Sequence, residues 1–254
     1  MLHVRRFGSG SPVVALHGFT LTGAQFADTV GRLNRTIVAP DLPGHGSSLN
    51  KPTSIDAAVT AICRVIESIG TPVPLLGYSQ GGRLALMTAL SRPHLVAQLV
   101  LVSATPGIED PGQREARARA DAETANRIRA GSVEEFVDTW TSHGITSTLH
   151  LPSHDRQGDR AVRLENTPSG LAAALVGMGQ GSQAPVWDQL YELSMPVLLI
   201  HGSTDAKYAA IASRMARSIP DCTVISIAAA GHNPLLDAPD ATYETVSAFL
   251  DRPR

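Results

Sequence analysis

Ser79 stands in Gly77-Tyr78-Ser79-Gln80-Gly81-Gly82, where small residues crowd a hydroxyl between a short apolar run and a helical stretch. The pattern G-x-S-x-G in that setting reads as a strand-to-helix elbow. Small neighbours let backbones approach closely, and the serine Oγ is held above the carboxyl end of a sheet. A neutral hydroxyl is a weak base and a weak nucleophile, so it needs a group to take its proton. His232, in Ala230-Gly231-His232-Asn233, can be that group. Asp205, in His201-Gly202-Ser203-Thr204-Asp205, can fix the imidazole tautomer and stabilise the imidazolium. The chain order serine, acid, histidine suits a catalytic triad. Each residue also has a plainer reading: Ser79 as an incidental serine in a glycine-rich turn, Asp205 as the cap of a helix starting near Ala206, and His232 as an unpartnered loop histidine.

Negative charge developing during such chemistry needs donors. The backbone N–H groups of Phe19, after the apolar run ending at His17, and of Gln80, at the start of the helix, can form an oxyanion hole. His17 is read as shaping that loop rather than moving protons. Asp41 and His45, in Asp41-Leu42-Pro43-Gly44-His45-Gly46-Ser47, are read as turn scaffold. Arg83 lies one turn into the elbow helix, where its guanidinium would reach the floor of the site. Arginine forks pair bidentately with carboxylates and stay charged when partly buried, so this position suits an anionic substrate, while a surface salt bridge is an equally open reading of Arg83 taken alone. The scattered histidines lack HExxH, paired-cysteine or comparable ligand spacing, so neither a metal nor another cofactor is expected.

The elements that position these residues follow from alternating apolar runs and helical stretches, the pattern of a mostly parallel sheet with helices on both faces. Leu2–Phe7 and Pro12–His17 flank a Gly-Ser-Gly-Ser turn and are expected to pair as a hairpin, with Arg35–Ala39 as the next strand. Thr53–Ile69 has a capping Ser54, apolar residues at helical spacing and a terminating Gly70. Val73–Leu76, a helix over Ser79–Ser91 and Gln98–Val102 make a βαβ unit. Residues 105–181 lose the strand signal and read as a helical cap inserted into a core formed by 1–104 and 182–254. The sheet resumes with Pro196–His201, a helix over Ala206–Ser218, a strand over Cys222–Ile227 and a last helix over Ala241–Leu250. The whole reads as an α/β-hydrolase fold, mostly parallel, carrying an inserted helical cap.

Composition narrows the partners. The 254 residues are 43% hydrophobic and 17% charged, with a formal net charge of −2, so no basic field exists to recruit nucleic acid or an anionic membrane. Cys63 and Cys222 sit in apolar helical and strand runs and read as core residues of a reducing compartment. The amino-terminal stretch shows neither a long apolar segment nor a small-residue cleavage site, so a cytoplasmic location is expected. The expected state is a monomer or small homo-oligomer acting on a small molecule.

The chain resembles the 2-succinyl-6-hydroxy-2,4-cyclohexadiene-1-carboxylate synthases of menaquinone biosynthesis over nearly its whole length. The resemblance rests on LHGF at Leu16–Phe19, GYSQGGRLAL at Gly77–Leu86, GMGQGSQAPVW at Gly177–Trp187, GSTDAKY at Gly202–Tyr208 and AGHN at Ala230–Asn233. It implies arginines that bind the carboxylates of a polycarboxylate substrate, at Arg83, Arg117 and Arg163, with Trp140 as a cap aromatic and Tyr78 as a hydroxyl contact. For the cap residues the plain alternatives are a solvated helix face for Arg117 and Arg163 and cap packing for Trp140; for Tyr78 it is packing behind the elbow. Phe26 stands where many relatives carry tryptophan, and Thr141 where an aromatic is common. The implied reaction is a lyase step that eliminates pyruvate, with Ser79 as base through His232 and the Phe19 and Gln80 amides facing charge that develops on a substrate carboxylate. The rival readings are a serine hydrolase of esters, thioesters or carbon–carbon bonds, in which Ser79 attacks a carbonyl, and a non-catalytic binding protein.

Overall fold

The computed structural model describes residues 1–70 and 72–252. Among them β1 (Val4–Phe7), β2 (Pro12–Leu16), β3 (Thr36–Pro40), β4 (Val73–Tyr78), β5 (Val96–Val102), β6 (Val197–Gly202) and β7 (Cys222–Ile227) form one sheet. Its order is β1-β3-β2-β4-β5-β6-β7. Every neighbouring pair is parallel except β1 with β3. The central strands are apolar along their length, as strands covered on both faces must be. Alternation then divides them. Val197 and Leu199 of β6 join one core cluster, Leu198 and Ile200 the cluster on the opposite face.

The hairpin expected between Leu2–Phe7 and Pro12–His17 does not form, because β3 lies between those two strands. Val13–Leu16 are wholly buried, and β2 satisfies both of its edges with parallel partners, β3 and β4. The Gly-Ser-Gly-Ser turn instead carries the chain around the start of β3. Thr36 N–H donates to the Ser11 carbonyl (3.1 Å), and its hydroxyl to that of Gly10 (2.8 Å). Gly8 has φ +72°, and a Cβ there would sit 2.6 Å from the Arg35 carbonyl oxygen, so this turn needs glycine for passage rather than for a tight hairpin.

The helices α1 (Ile55–Ile69) and α2 (Gln80–Ser91) cover one face of the sheet. Ser54 caps α1 by accepting from Ala57 N–H, and Gly70 ends it at φ +97°. Between β5 and β6 the chain makes α3 (Pro111–Ala130), α4 (Val133–Trp140), α5 (Ser153–Arg163) and α6 (Pro168–Met178). Of these, α3, α4 and α6 share a separate apolar cluster of Ala125, Ile128, Val133, Val137, Leu171, Ala172 and Leu175. The insertion leaves and rejoins the sheet region at one place. Val186 N–H donates to the Pro106 carbonyl and Trp187 Nε1–H to that of Gly107, both at 2.9 Å. The Arg214 guanidinium lies 3.8 Å from the centre of the Trp187 ring and pairs with Glu109. The chain closes with α7 (Ala206–Ala216), the single turn α8 (Pro234–Asp237) and α9 (Pro239–Leu250). No helix among the described residues is long and apolar enough to cross a membrane. Cys63 and Cys222 are both free thiols.

Candidate active site

Ser79 occupies the junction between β4 and α2 at φ +50°, ψ −109°, a conformation a non-glycine residue adopts only where its surroundings enforce it. The enforcement is close packing. A Cβ on Gly77 would lie 2.4 Å from the Gly81 carbonyl oxygen, and one on Gly81 would lie 2.2 Å from that of Leu16. Gly81→Ala therefore pushes the elbow away from the loop carrying Phe19. Displacement of reacting groups by about 1 Å costs about 10²-fold. A kcat loss of at least that size, with initial rates compared at equal folded fraction, is the expected result.

Three distant segments meet at this elbow. Ser79 Oγ lies 3.1 Å from His232 Nε2, and His232 Nδ1 lies 3.0 Å from Asp205 Oδ2. Asp205 and His232 are each 6% exposed, whereas Ser79 is partly accessible. An Nδ1–H donated to Asp205 leaves Nε2 as acceptor for the serine hydroxyl, the tautomer a base requires. Burial raises the Asp205 carboxyl, but the His232 hydrogen bond and that from Tyr208 N–H outweigh it and hold the group below the usual carboxylate range. Asp205 has the contacts that both of its readings from sequence call for: Oδ1 caps α7 through Tyr208 N–H (3.1 Å) while Oδ2 faces the imidazole.

The amide of Gln80 is the first of α2 and has no partner within the helix. Phe19 lines the same cavities as Ser79. His17 holds the Phe19 loop from below. Its Nε2 accepts from Leu42 N–H (2.9 Å), so its Nδ1–H is the donor to the Gly18 carbonyl (2.8 Å). Asp41 is fully buried and accepts from Gly23 N–H and Ser47 N–H, and His45 donates from Nδ1 to the Pro43 carbonyl. Burial lowers His17 from its ordinary 6.5 to about 4 and His45 to about 3. Between those values and 6.5 the unfolded chain binds more protons than the folded one, so stability rises with pH across that window. The urea midpoint is expected to fall as pH drops below 6.5, and to fall less steeply in His45→Gln.

Two cavities of about 510 and 610 Å³ meet at Ser79 and His232, with Phe19, Trp140 and Lys207 also common to both. The arginines divide between them. Arg163 lines the first, Arg83 and Arg117 the second. Arg163 is 4% exposed and forked onto Asp159 (2.7 and 3.0 Å), with Thr20 Oγ1 as a further acceptor. Arg117 gives Nε to Asp121 (2.7 Å). Arg83 differs. It is 5% exposed and bonds neutral oxygens, Gln183 Oε1 (2.9 Å) and the Met178 carbonyl (2.7 Å), with no carboxylate within ion-pair distance among the described residues. Burial lowers it only to about 10, so it stays cationic at neutral pH.

Trp140 stands edge-on to Phe19, ring centres 5.4 Å apart, and lines both cavities. Tyr78 packs behind the elbow against Gly18, where a Cβ would come within 2.6 Å of its ring, and it also lines the first cavity; burial pushes its hydroxyl up. Phe26 is 1% exposed in the sheet core, and Thr141 ends α4 with its hydroxyl on the Val137 carbonyl. Among the cavity residues that escape sequence reasoning are Tyr208, whose ring centre lies 4.5 Å from that of His232, and Lys207, which lines both cavities. Both belong to the DAKY segment, which is distinctive in the sequence although it does not reveal what these two side chains do.

A serine elbow, an aligned imidazole and acid, and a parallel sheet topped by a helical insertion define an α/β hydrolase, and residues 13–245 match the model of the alpha/beta hydrolase family. A Bacillus subtilis protein provisionally named 2-succinyl-6-hydroxy-2,4-cyclohexadiene-1-carboxylate synthase is 35% identical over 94% of this chain and 89% of its own. The Pectobacterium atrosepticum synthase of that name is 30% identical over 95% and 94%. The solved structure of MenH from S. aureus superposes with a TM-score of 0.92 at 29% identity, covering 98% of both chains. Within the α/β hydrolases, the chain belongs to the family of these synthases.

Proposed function

We propose that this enzyme is a lyase of menaquinone biosynthesis that eliminates pyruvate from 2-succinyl-5-enolpyruvyl-6-hydroxy-3-cyclohexene-1-carboxylate. The product is 2-succinyl-6-hydroxy-2,4-cyclohexadiene-1-carboxylate. The observation that carries the reading is Arg83: a buried cation with no acid partner among the described residues, in the wall of a cavity that opens onto Ser79. Such a charge favours an anionic ligand to compensate it. A substrate with several carboxylates fits two cavities that both carry cations.

The two ring systems differ by loss of the C2 proton, movement of the double bond and departure of the oxygen at C5. Ser79 passes its proton to His232 Nε2 as it takes the ring proton. The C–H electrons extend the ring into a diene, and the C–O bond breaks to release enolpyruvate, which tautomerises to pyruvate. Asp205 stabilises the transient imidazolium, and His232 then gives its proton to the departing enolpyruvate oxygen, leaving Ser79 with the ring proton and the imidazole neutral again. The Phe19 and Gln80 amides face the substrate oxygen on which negative charge develops. Arg83, Arg117 and Arg163 hold carboxylates, Trp140 and Tyr78 line the ring's surroundings, and residues 105–181 act as the cap over a core of 1–104 and 182–254. The same proposal places the enzyme in the cytoplasm as a monomer or small homo-oligomer, with no nucleic-acid or membrane partner, in keeping with the net charge of −2 and the free thiols.

Pure protein incubated with the enolpyruvyl substrate should release one pyruvate per diene formed. Turnover of uncharged esters without pyruvate release would transfer the assignment to a serine hydrolase.

A further inference from the structure

The loop carrying His232 is tight, with Ala229 at φ +57°, and it is held from two sides. On the β6 side, Thr204 donates through N–H and hydroxyl to the Ala230 carbonyl (3.0 and 2.8 Å). On the other side a single carboxylate does the holding. Asp237, at the end of α8, accepts from Gly231 N–H through Oδ2 at 2.7 Å. Its side chain is 5% exposed, and its other oxygen, Oδ1, faces His150 Nε2 at 3.0 Å. His150 lies in the loop between α4 and α5, within the insertion, and is 53% exposed. One buried carboxylate therefore joins the residue next to the catalytic imidazole to the segment that roofs the first cavity.

We propose that Asp237 is a positioning residue for His232: it fixes the imidazole through the Gly231 amide and, through His150, couples that alignment to the seating of the insertion over the first cavity. This rests on His232 being the base, as argued above. A backbone amide held by a charged acceptor is a strong tether, stronger than a neutral pair. The His150 contact is half in solvent and weaker, which suits a contact that breaks when the insertion lifts. The two oxygens thus separate two effects. Losing the Oδ2 contact misaligns the base, whereas losing the charge on Oδ1 only loosens the roof.

The test compares Asp237→Ala, Asp237→Asn and His150→Ala by pyruvate release and by the rate at which a fluorophosphonate labels Ser79. Asp237→Ala should lower kcat and the labelling rate together by about 10- to 100-fold. Asp237→Asn keeps an oxygen for Gly231 N–H and should recover most of both. Asp237→Asn and His150→Ala should each raise KM by up to about fivefold, with the double variant no worse than either single, because both remove one interaction. The downfield proton resonance of His232 Nδ1–H should persist in Asp237→Asn and broaden in Asp237→Ala. Wild-type labelling and a resonance unchanged in folded Asp237→Ala would overturn the proposal, as would additive KM effects. Where Asp237→Ala does not fold, an Asp237→Asn variant whose labelling falls tenfold would overturn it equally. Labelling does not depend on the lyase substrate, so absence of pyruvate release in wild type would count against the function alone.

Discussion

Asp205→Asn is expected to lower kcat for pyruvate release by about 10⁴-fold while leaving the fold intact. The asparagine preserves volume and can still accept from Tyr208 N–H, so α7 keeps its cap. What changes is the partner of His232 Nδ1. Presented with an amide N–H₂, the imidazole moves its proton to Nε2, where it confronts the Ser79 hydroxyl as a donor rather than an acceptor. Neither the ring proton nor the serine proton then has a destination. Circular dichroism should match wild type, and kcat should fall far more than KM rises, because the lost interaction belongs to the transition state. An Asp205→Asn enzyme with kcat within tenfold of wild type would remove Ser79 and His232 from the proton path.

The second large effect concerns Arg163. Replacing it with leucine leaves Asp159 as a buried, unpaired carboxylate, and breaking a buried pair in this way costs about 3–5 kcal/mol. Adding Asp159→Leu removes the stranded charge, so most of that stability should return, as read by the urea midpoint. The kinetics should not return with it. A hydrogen bond to a charged group contributes about 1.5–3 kcal/mol, so the proposed carboxylate contact predicts a KM about 10- to 100-fold above wild type in the single and the double variant alike. Recovery of KM along with stability would confine Arg163 to the structural pair with Asp159.

How far these features can be read from the sequence depends on the range of the interactions that make them. The elbow is legible because its determinants are local: Gly77 and Gly81 flank Ser79, and the turn admits nothing larger. Each triad member follows an apolar run, and a parallel sheet brings the carboxyl ends of such runs to one edge. The failed hairpin marks the opposite case. Neighbours in sequence need not be neighbours in a sheet, and only the need of β2 for partners on both edges places β3 beside it. The arginines show an intermediate range. Asp121 and Asp159 stand four residues from Arg117 and Arg163, a helical spacing visible in the sequence, yet spacing alone does not say whether such a pair forms or whether a ligand takes the guanidinium instead. That Arg83 instead meets Gln183 and the Met178 carbonyl depends on how the insertion folds back over α2, which no local pattern encodes.

The clamp of Pro106, Gly107, Val186 and Trp187 has a consequence for descent as well as for shape. Because the chain departs and returns through adjacent points, any segment whose ends meet can be grafted there without disturbing the strands below. The segment that brings Arg117, Trp140 and Arg163 to the cavities can thus be exchanged while the sheet, the elbow and the aligned Asp205 and His232 are inherited unchanged.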